Sequence, residues 1–139
     1  MKIDHLGIAV RSLEDSVGFY EGVLGLGVSG RETVPDQGVN VAMLPVGDSR
    51  IELLEPLSED SVVGRFIARR GEGLHHICYE VDDLQSKLDE LGARGVRLLD
   101  GYPRRGAEGK SVAFLHPASA NGVLVELVEK GQKTGRSLE

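Results

Sequence analysis

Two histidines and two glutamates stand at matched places in this sequence. His5 lies in the run Ile3-Asp4-His5-Leu6-Gly7-Ile8-Ala9-Val10, and His76 lies in Leu74-His75-His76-Ile77-Cys78-Tyr79-Glu80-Val81. Sliding one run onto the other by 71 residues superimposes Leu74 on Ile3, His76 on His5, Val81 on Val10, Asp83 on Ser12 and Leu84 on Leu13. Glu52 and Glu126 sit in a second pair of matching frames, Arg50-Ile51-Glu52-Leu53-Leu54-Glu55 and Leu124-Val125-Glu126-Leu127-Val128-Glu129. The step from histidine to glutamate is 47 residues in the first pair and 50 in the second. The chain therefore reads as a tandem repeat in which a pseudo-two-fold axis would bring His5, Glu52, His76 and Glu126 to one point.

Two neutral imidazoles and two carboxylates suit a borderline divalent ion such as Co²⁺, Mn²⁺, Ni²⁺ or Zn²⁺. Four protein ligands on an octahedral ion leave two positions for water or substrate, a catalytic arrangement rather than a structural one. A lone strand histidine is more often a hydrogen-bonded core residue, and a lone strand glutamate usually faces solvent. Chance placement does not explain the symmetry of all four. Burying an unpaired carboxylate costs on the order of several kcal/mol, which a cation between two of them offsets.

The elements that must position these side chains follow from periodicity. Residues 3 to 10 alternate as a strand, with Leu6, Ile8 and Val10 on one face and His5, Gly7 and Ala9 on the other, so the imidazole shares its face with two very small side chains. Ser12, with Asp15 three residues on, caps a helix running to about Leu24, and Gly25 and Gly27 end it. Strands are expected over Val28 to Val34, Val39 to Val46 and Ser49 to Leu54, separated by the turn signals Pro35-Asp36-Gln37-Gly38 and Gly47-Asp48. The first half is thus βαβββ, over about residues 3–56. A linker helix over 61–70 leads to a second module over about 74–129.

In that second module, Asp83 caps a helix carrying Leu84, Leu88 and Leu91, followed by strands at Val96 to Leu99, Ser111 to Leu115 and Gly122 to Val128. Gly101 to Gly109 is expected to be a loop, and residues 130–139 a flexible tail. The alternation places His75 on the face opposite His76, a structural position. Cys78 is a small filler with nothing in the sequence to activate it. The fold class is α+β: two βαβββ modules in one cupped, eight-stranded mixed sheet, forming a single domain over 1–139.

At 139 residues and 40% hydrophobic content, the chain can bury a core of that kind. A net charge of −6 offers no footprint for nucleic acid or an anionic membrane surface. One cysteine excludes an intramolecular disulfide, and no signal-like apolar run opens the chain, so a reducing cytoplasm is expected.

The segments Asp4-His5-Leu6-Gly7-Ile8-Ala9-Val10, Ile51-Glu52-Leu53-Leu54-Glu55-Pro56, Gly71-Glu72-Gly73-Leu74-His75-His76-Ile77, Gly109-Lys110-Ser111-Val112-Ala113-Phe114-Leu115-His116-Pro117 and Gly122-Val123-Leu124-Val125-Glu126-Leu127-Val128-Glu129 resemble the vicinal-oxygen-chelate (glyoxalase, bleomycin-resistance and dioxygenase) superfamily. Within it they most resemble the methylmalonyl-CoA epimerase branch, over about residues 3–129. The resemblance implies that His5, Glu52, His76 and Glu126 ligate a divalent ion, Co²⁺ before Mn²⁺, Ni²⁺ or Zn²⁺, although some epimerases carry Gln where Glu52 stands. It further implies interconversion of the 2R and 2S forms of methylmalonyl-CoA through an enolate. That reaction needs two acid–base groups. Glu126 is the first candidate. Several members place a second glutamate on the third strand, but Gly38-Val39-Asn40-Val41-Ala42-Met43 has none, which leaves Glu52 or a metal-bound water.

Arg104, Arg105 and Lys110 could hold a CoA phosphate or the substrate carboxylate, or be solvated loop residues. His116 could line the pocket or stabilise a turn. Family members commonly form homodimers, and the free sheet edges give a reason. Two other functions share the fold: glyoxalase I, against which the His116-to-Gly122 approach to the last strand argues, and a metal-free small-molecule-binding module, which usually lacks a complete ligand set.

Overall fold

A computed structural model describes residues 1–131 of the chain. The first module contains strand β1 (Lys2–Ala9), helix α1 (Leu13–Val17) continued by a π-helical turn over Gly18–Val23, and strands β2 (Gly30–Val34), β3 (Val39–Val46) and β4 (Ser49–Pro56). Helix α2 (Val62–Arg70) joins it to the second module, which contains β5 (Gly73–Val81), α3 (Leu84–Ala93), β6 (Arg104–Arg105), β7 (Ser111–Leu115) and β8 (Val125–Glu129). All eight strands form one mixed sheet in the order β2-β3-β4-β1-β5-β8-β7-β6. The order is symmetric about the seam where β1 and β5 pair antiparallel. On either side of that seam β1 pairs parallel with β4, and β5 parallel with β8.

Local chemistry explains most of these boundaries. The Ser12 hydroxyl accepts from the Asp15 N–H and the Asp83 carboxylate from the Ser86 N–H, so both modules start their helix with a side-chain cap. A second matched device reinforces each start. Glu55, three residues beyond Glu52, accepts from the Leu13 N–H at 3.0 Å, and Glu129, three beyond Glu126, accepts from the Leu84 N–H at 3.0 Å. Each last strand thus carries one glutamate for the centre and one that satisfies an orphan donor at its own helix N-terminus. Under the sheet, Val10, Leu13, Val17, Leu44 and Leu53 pack in the first module, and Leu84, Leu88, Ala113, Val125 and Leu127 in the second.

Three expectations need correction. Residues 96–99 make only an isolated bridge, Leu98 to Leu115, and the outer strand is instead β6, whose Arg104 and Arg105 pair with Val112 and Ser111. The expected loop therefore contains the edge of the sheet, because the turn through Pro103 delays pairing until the chain runs alongside β7. The last strand begins at Val125 rather than Gly122, since Asn121 and Gly122 hold positive φ angles of 58° and 83° that no strand accommodates. The first helix leaves α geometry at Gly18. The expected tail falls, from residue 132, outside the described residues, while the Lys130 N–H still donates to Val81 O at 2.7 Å.

Candidate metal and acid–base centre

The four central strands each contribute one residue of the matched set: His5 from β1, Glu52 from β4, His76 from β5 and Glu126 from β8. Register makes the placement equivalent in the two modules. Glu52 stands across from Gly7, two residues beyond His5, and Glu126 across from Cys78, two residues beyond His76. All four side chains are buried at 4% exposure. His5 Nε2 lies 3.1 Å from His76 Nε2, 3.1 Å from Glu126 Oε1 and 3.3 Å from Glu52 Oε1, and His76 Nε2 lies 3.0 Å from Glu126 Oε1.

Two β-bulges set this geometry. Along β1, Ile3 faces Tyr79 and His5 faces Cys78, so Asp4 is an extra residue; along β5, Gly7 faces His76 and Ile8 faces Leu74, so His75 is another. Each bulge turns the residue before the histidine to the same side as the histidine. The Asp4 carboxylate accepts from His5 Nδ1–H at 2.8 Å, which directs the other ring nitrogen to the centre. In the second module His75 Nδ1 lies 2.9 Å from His76 Nδ1. His75 is therefore not on the opposite face, as strict alternation predicts, but beside the histidine it precedes. Gly7 is needed between these rings: a Cβ there would overlap the His76 imidazole. The room left by the small residue serves the second histidine rather than the first.

The electrostatics of the two halves differ. Burial alone lowers the pKa of His5, but Asp4, Glu126 and Glu52 override it and raise it to about 10. Burial raises the Glu126 pKa, yet its hydrogen bonds with His5 and His76 win and hold it below the usual carboxylate range. Glu52 is raised, by burial and then by Glu126, although His5 and Arg50 oppose the shift. Arg50 Nη2 lies 3.0 Å from Glu52 Oε2 and 3.9 Å from Asp4, and its Nη1 lies 3.1 Å from Glu108. Cys78, fully buried among Val112 and Val128, is pushed up by burial and stays a thiol.

The donor set fits a divalent cation. At the centre, one imidazole nitrogen has three nitrogen or oxygen atoms within 3.3 Å, more than the protons of two rings can bridge. Glu52 Oε2 is buried with no hydrogen-bond partner, its contact with Arg50 lacking the alignment of a hydrogen bond. His5, His76 and Glu126 each offer one potential ligand atom, and these atoms all lie within 4.8 Å of one another. Glu52 joins this trio beside His5 and is drawn toward Arg50.

The basic residues read from the loop take separate places. The Arg104 guanidinium donates to Asp36 O at 3.2 Å and Asp100 at 3.4 Å, bridging the two modules at the wall of a cavity of about 150 Å³ that also touches His76. Lys110 lies 3.6 Å from Glu108, and Arg105 is exposed. His116 accepts from the Ala118 N–H at 2.9 Å and also lines a larger cleft of about 420 Å³ with His76, so it both holds a turn and borders the pocket. Asp4 and Arg50 are partners to which the sequence gives no role, and His75, expected only as a structural residue, is a third. The signal for two of them was present: the 71-residue slide that superimposes the histidines also superimposes Asp4 on His75.

Among known proteins, the model of the Glyoxalase/Bleomycin resistance protein/Dioxygenase superfamily matches residues 4–114. The ethylmalonyl-CoA/methylmalonyl-CoA epimerase of Cereibacter sphaeroides is 43% identical over 128 residues, covering 91% of this chain and 96% of that protein. The crystal structure of methylmalonyl-CoA epimerase from Mycobacterium tuberculosis superposes with a TM-score of 0.92 at 37% identity, covering 98% of this chain and 92% of that one. A methylmalonyl-CoA epimerase solved in complex with methylmalonyl-CoA and NH4+ superposes with a TM-score of 0.88 at 42% identity, covering 94% of each chain. With its cupped sheet and this degree of likeness along nearly its whole length, the chain belongs to the Glyoxalase/Bleomycin resistance protein/Dioxygenase superfamily and, within it, to the family of the methylmalonyl-CoA epimerases.

Proposed function

We propose that this protein, acting as a single two-module domain, interconverts (2R)- and (2S)-methylmalonyl-CoA by removing and returning the C2 proton. The observation that carries the reading is the meeting of His5, Glu52, His76 and Glu126 in a buried centre whose His76 lines a cavity, within a chain that is 43% identical to a protein named as an ethylmalonyl-CoA/methylmalonyl-CoA epimerase. The four side chains would hold a divalent ion, Co²⁺ ahead of Mn²⁺, Ni²⁺ or Zn²⁺. Such an ion, when bound, supplies positive charge next to the thioester oxygen on which negative charge develops.

The rest of the chemistry falls to the chain. Glu126, held ionised by two imidazoles, takes the C2 proton from one face. Glu52, its counterpart in the first module, is the second acid–base group and serves the other face. Arg104 at the cavity wall, with Arg105, Lys110 and His116, offers charge and hydrogen bonds to the substrate carboxylate and the CoA phosphates. The protein works as a cytoplasmic homodimer. No helix among the described residues is long and apolar enough to cross a membrane.

The test is solvent exchange. Metal-loaded protein in deuterated water should incorporate deuterium at C2 of methylmalonyl-CoA, with racemisation of either epimer. Isomerisation of the methylglyoxal–glutathione hemithioacetal without C2 exchange would move the function to glyoxalase I. Absence of any bound divalent ion by elemental analysis would leave a small-molecule-binding module.

A further inference from the structure

The two histidines of the centre are held from behind by different chemistry. His5 Nδ1 faces an acidic acceptor, whereas His76 Nδ1 faces another imidazole nitrogen, His75 Nδ1, at 2.9 Å. Two ring nitrogens at that distance share one hydrogen, so one is a donor and the other an acceptor. The assignment is forced if His76 ligates through Nε2, the nitrogen that lies 3.0 Å from Glu126 and 3.1 Å from His5 Nε2. A lone pair at His76 Nε2 leaves the proton on its Nδ1. His75 Nδ1 must then accept, and a neutral His75 carries its own proton on Nε2.

That second proton has a place to go. His75 borders both the cavity of about 150 Å³ and the cleft of about 420 Å³, and its Nδ1 edge is taken up by His76. Its Nε2 makes no hydrogen bond to protein among the described residues. The ring is held edge-on to Phe66, with centroids 4.9 Å apart at 81°, so it cannot swing freely. We infer that His75 is a positioning residue with two edges: Nδ1 fixes the tautomer of His76, and Nε2–H is offered to an oxygen of the acyl-CoA substrate in the cavity. This rests on the metal-dependent reading above. It gives the second module a link between the centre and its ligand that Asp4, which borders neither the cavity nor the cleft, does not give the first.

Three substitutions and one spectrum test it. His75→Leu removes both edges, and Zn²⁺ titrated into metal-free protein should bind about 10–100-fold more weakly. His75→Asn places a carboxamide oxygen where Nδ1 stood and should restore Zn²⁺ binding. It lacks the outer donor, so KM for methylmalonyl-CoA should rise about tenfold with Zn²⁺ affinity kept. His75→Gln, whose carboxamide reaches the Nε2 place instead, should show the reverse pattern. In Zn²⁺-loaded wild-type protein, ¹⁵N shifts should report His76 protonated at Nδ1 and His75 at Nε2, a readout that stands if a variant fails to fold. Zn²⁺ affinity unchanged in folded His75→Leu, or a bare His76 Nδ1 in the spectrum, overturns the inference alone. Wild-type protein that takes up no Zn²⁺ overturns the metal reading and this inference together.

Discussion

The two modules share one backbone plan and differ in what stands behind each side chain of the centre. In the first, an anion backs the imidazole and a guanidinium backs the carboxylate: Asp4 against His5, Arg50 against Glu52. In the second, a neutral imidazole backs His76, and Glu126 is held by the two central imidazoles. The duplication supplies geometry twice, and substitution in the second layer makes the two copies electrically distinct. That is why Glu126 is held ionised while Glu52 is raised, although register makes them equivalent.

The comparison can be broken at its strongest point first. Replacing either imidazole, His5→Ala or His76→Ala, should abolish stoichiometric uptake of a divalent ion and C2 exchange together. Elemental analysis that finds the ion retained in one variant and lost in the other would show that the modules do not contribute equally. The carboxylates should separate instead. Glu126→Gln is expected to slow C2 exchange by about 10²–10⁴-fold. Glu52→Gln should cost less, because the amide keeps an oxygen beside His5 and no longer needs Arg50. Equal losses in the two variants, measured by deuterium incorporation, would remove the electrical distinction.

Further from the reacting atoms the effects shrink. Asp4→Asn keeps the shape of the bulge and replaces the charged acceptor by a neutral one, so metal affinity measured by titration should fall about 10–100-fold. The matched helix caps should behave alike. Glu55→Gln and Glu129→Gln each weaken one hydrogen bond at a helix start and should cost about 1 kcal/mol, seen as a fall in Tm of about 4 °C. A large difference between those two would mean that the modules are unequally stable.

Much of this was legible in the sequence, because the repeat constrains it twice. The four central residues, the caps at Ser12 and Asp83, and seven of the eight strands follow from side-chain alternation and from a slide of 71 residues. The bulges at Asp4 and His75 were not, since an extra residue in a strand is defined by the partner across the sheet, and alternation read along one chain assumes there is none. Arg50 was hidden for a similar reason: a basic residue two places before a glutamate reads as solvent-facing until the strand is known to be central. The shift of the outer strand to Arg104–Arg105 came from a turn whose length periodicity does not register.

The antiparallel seam between β1 and β5 has a consequence for ancestry. A peptide of half this length would present one imidazole on an unpaired edge strand and one acid on the strand beside it, too few to capture an ion. Two such peptides joined edge to edge would present all four, so a symmetric pair of short chains could have worked before any fusion. Within one fused chain each copy can vary alone, and the difference between Asp4 and His75 beside the two rings is one that a pair of identical chains cannot carry.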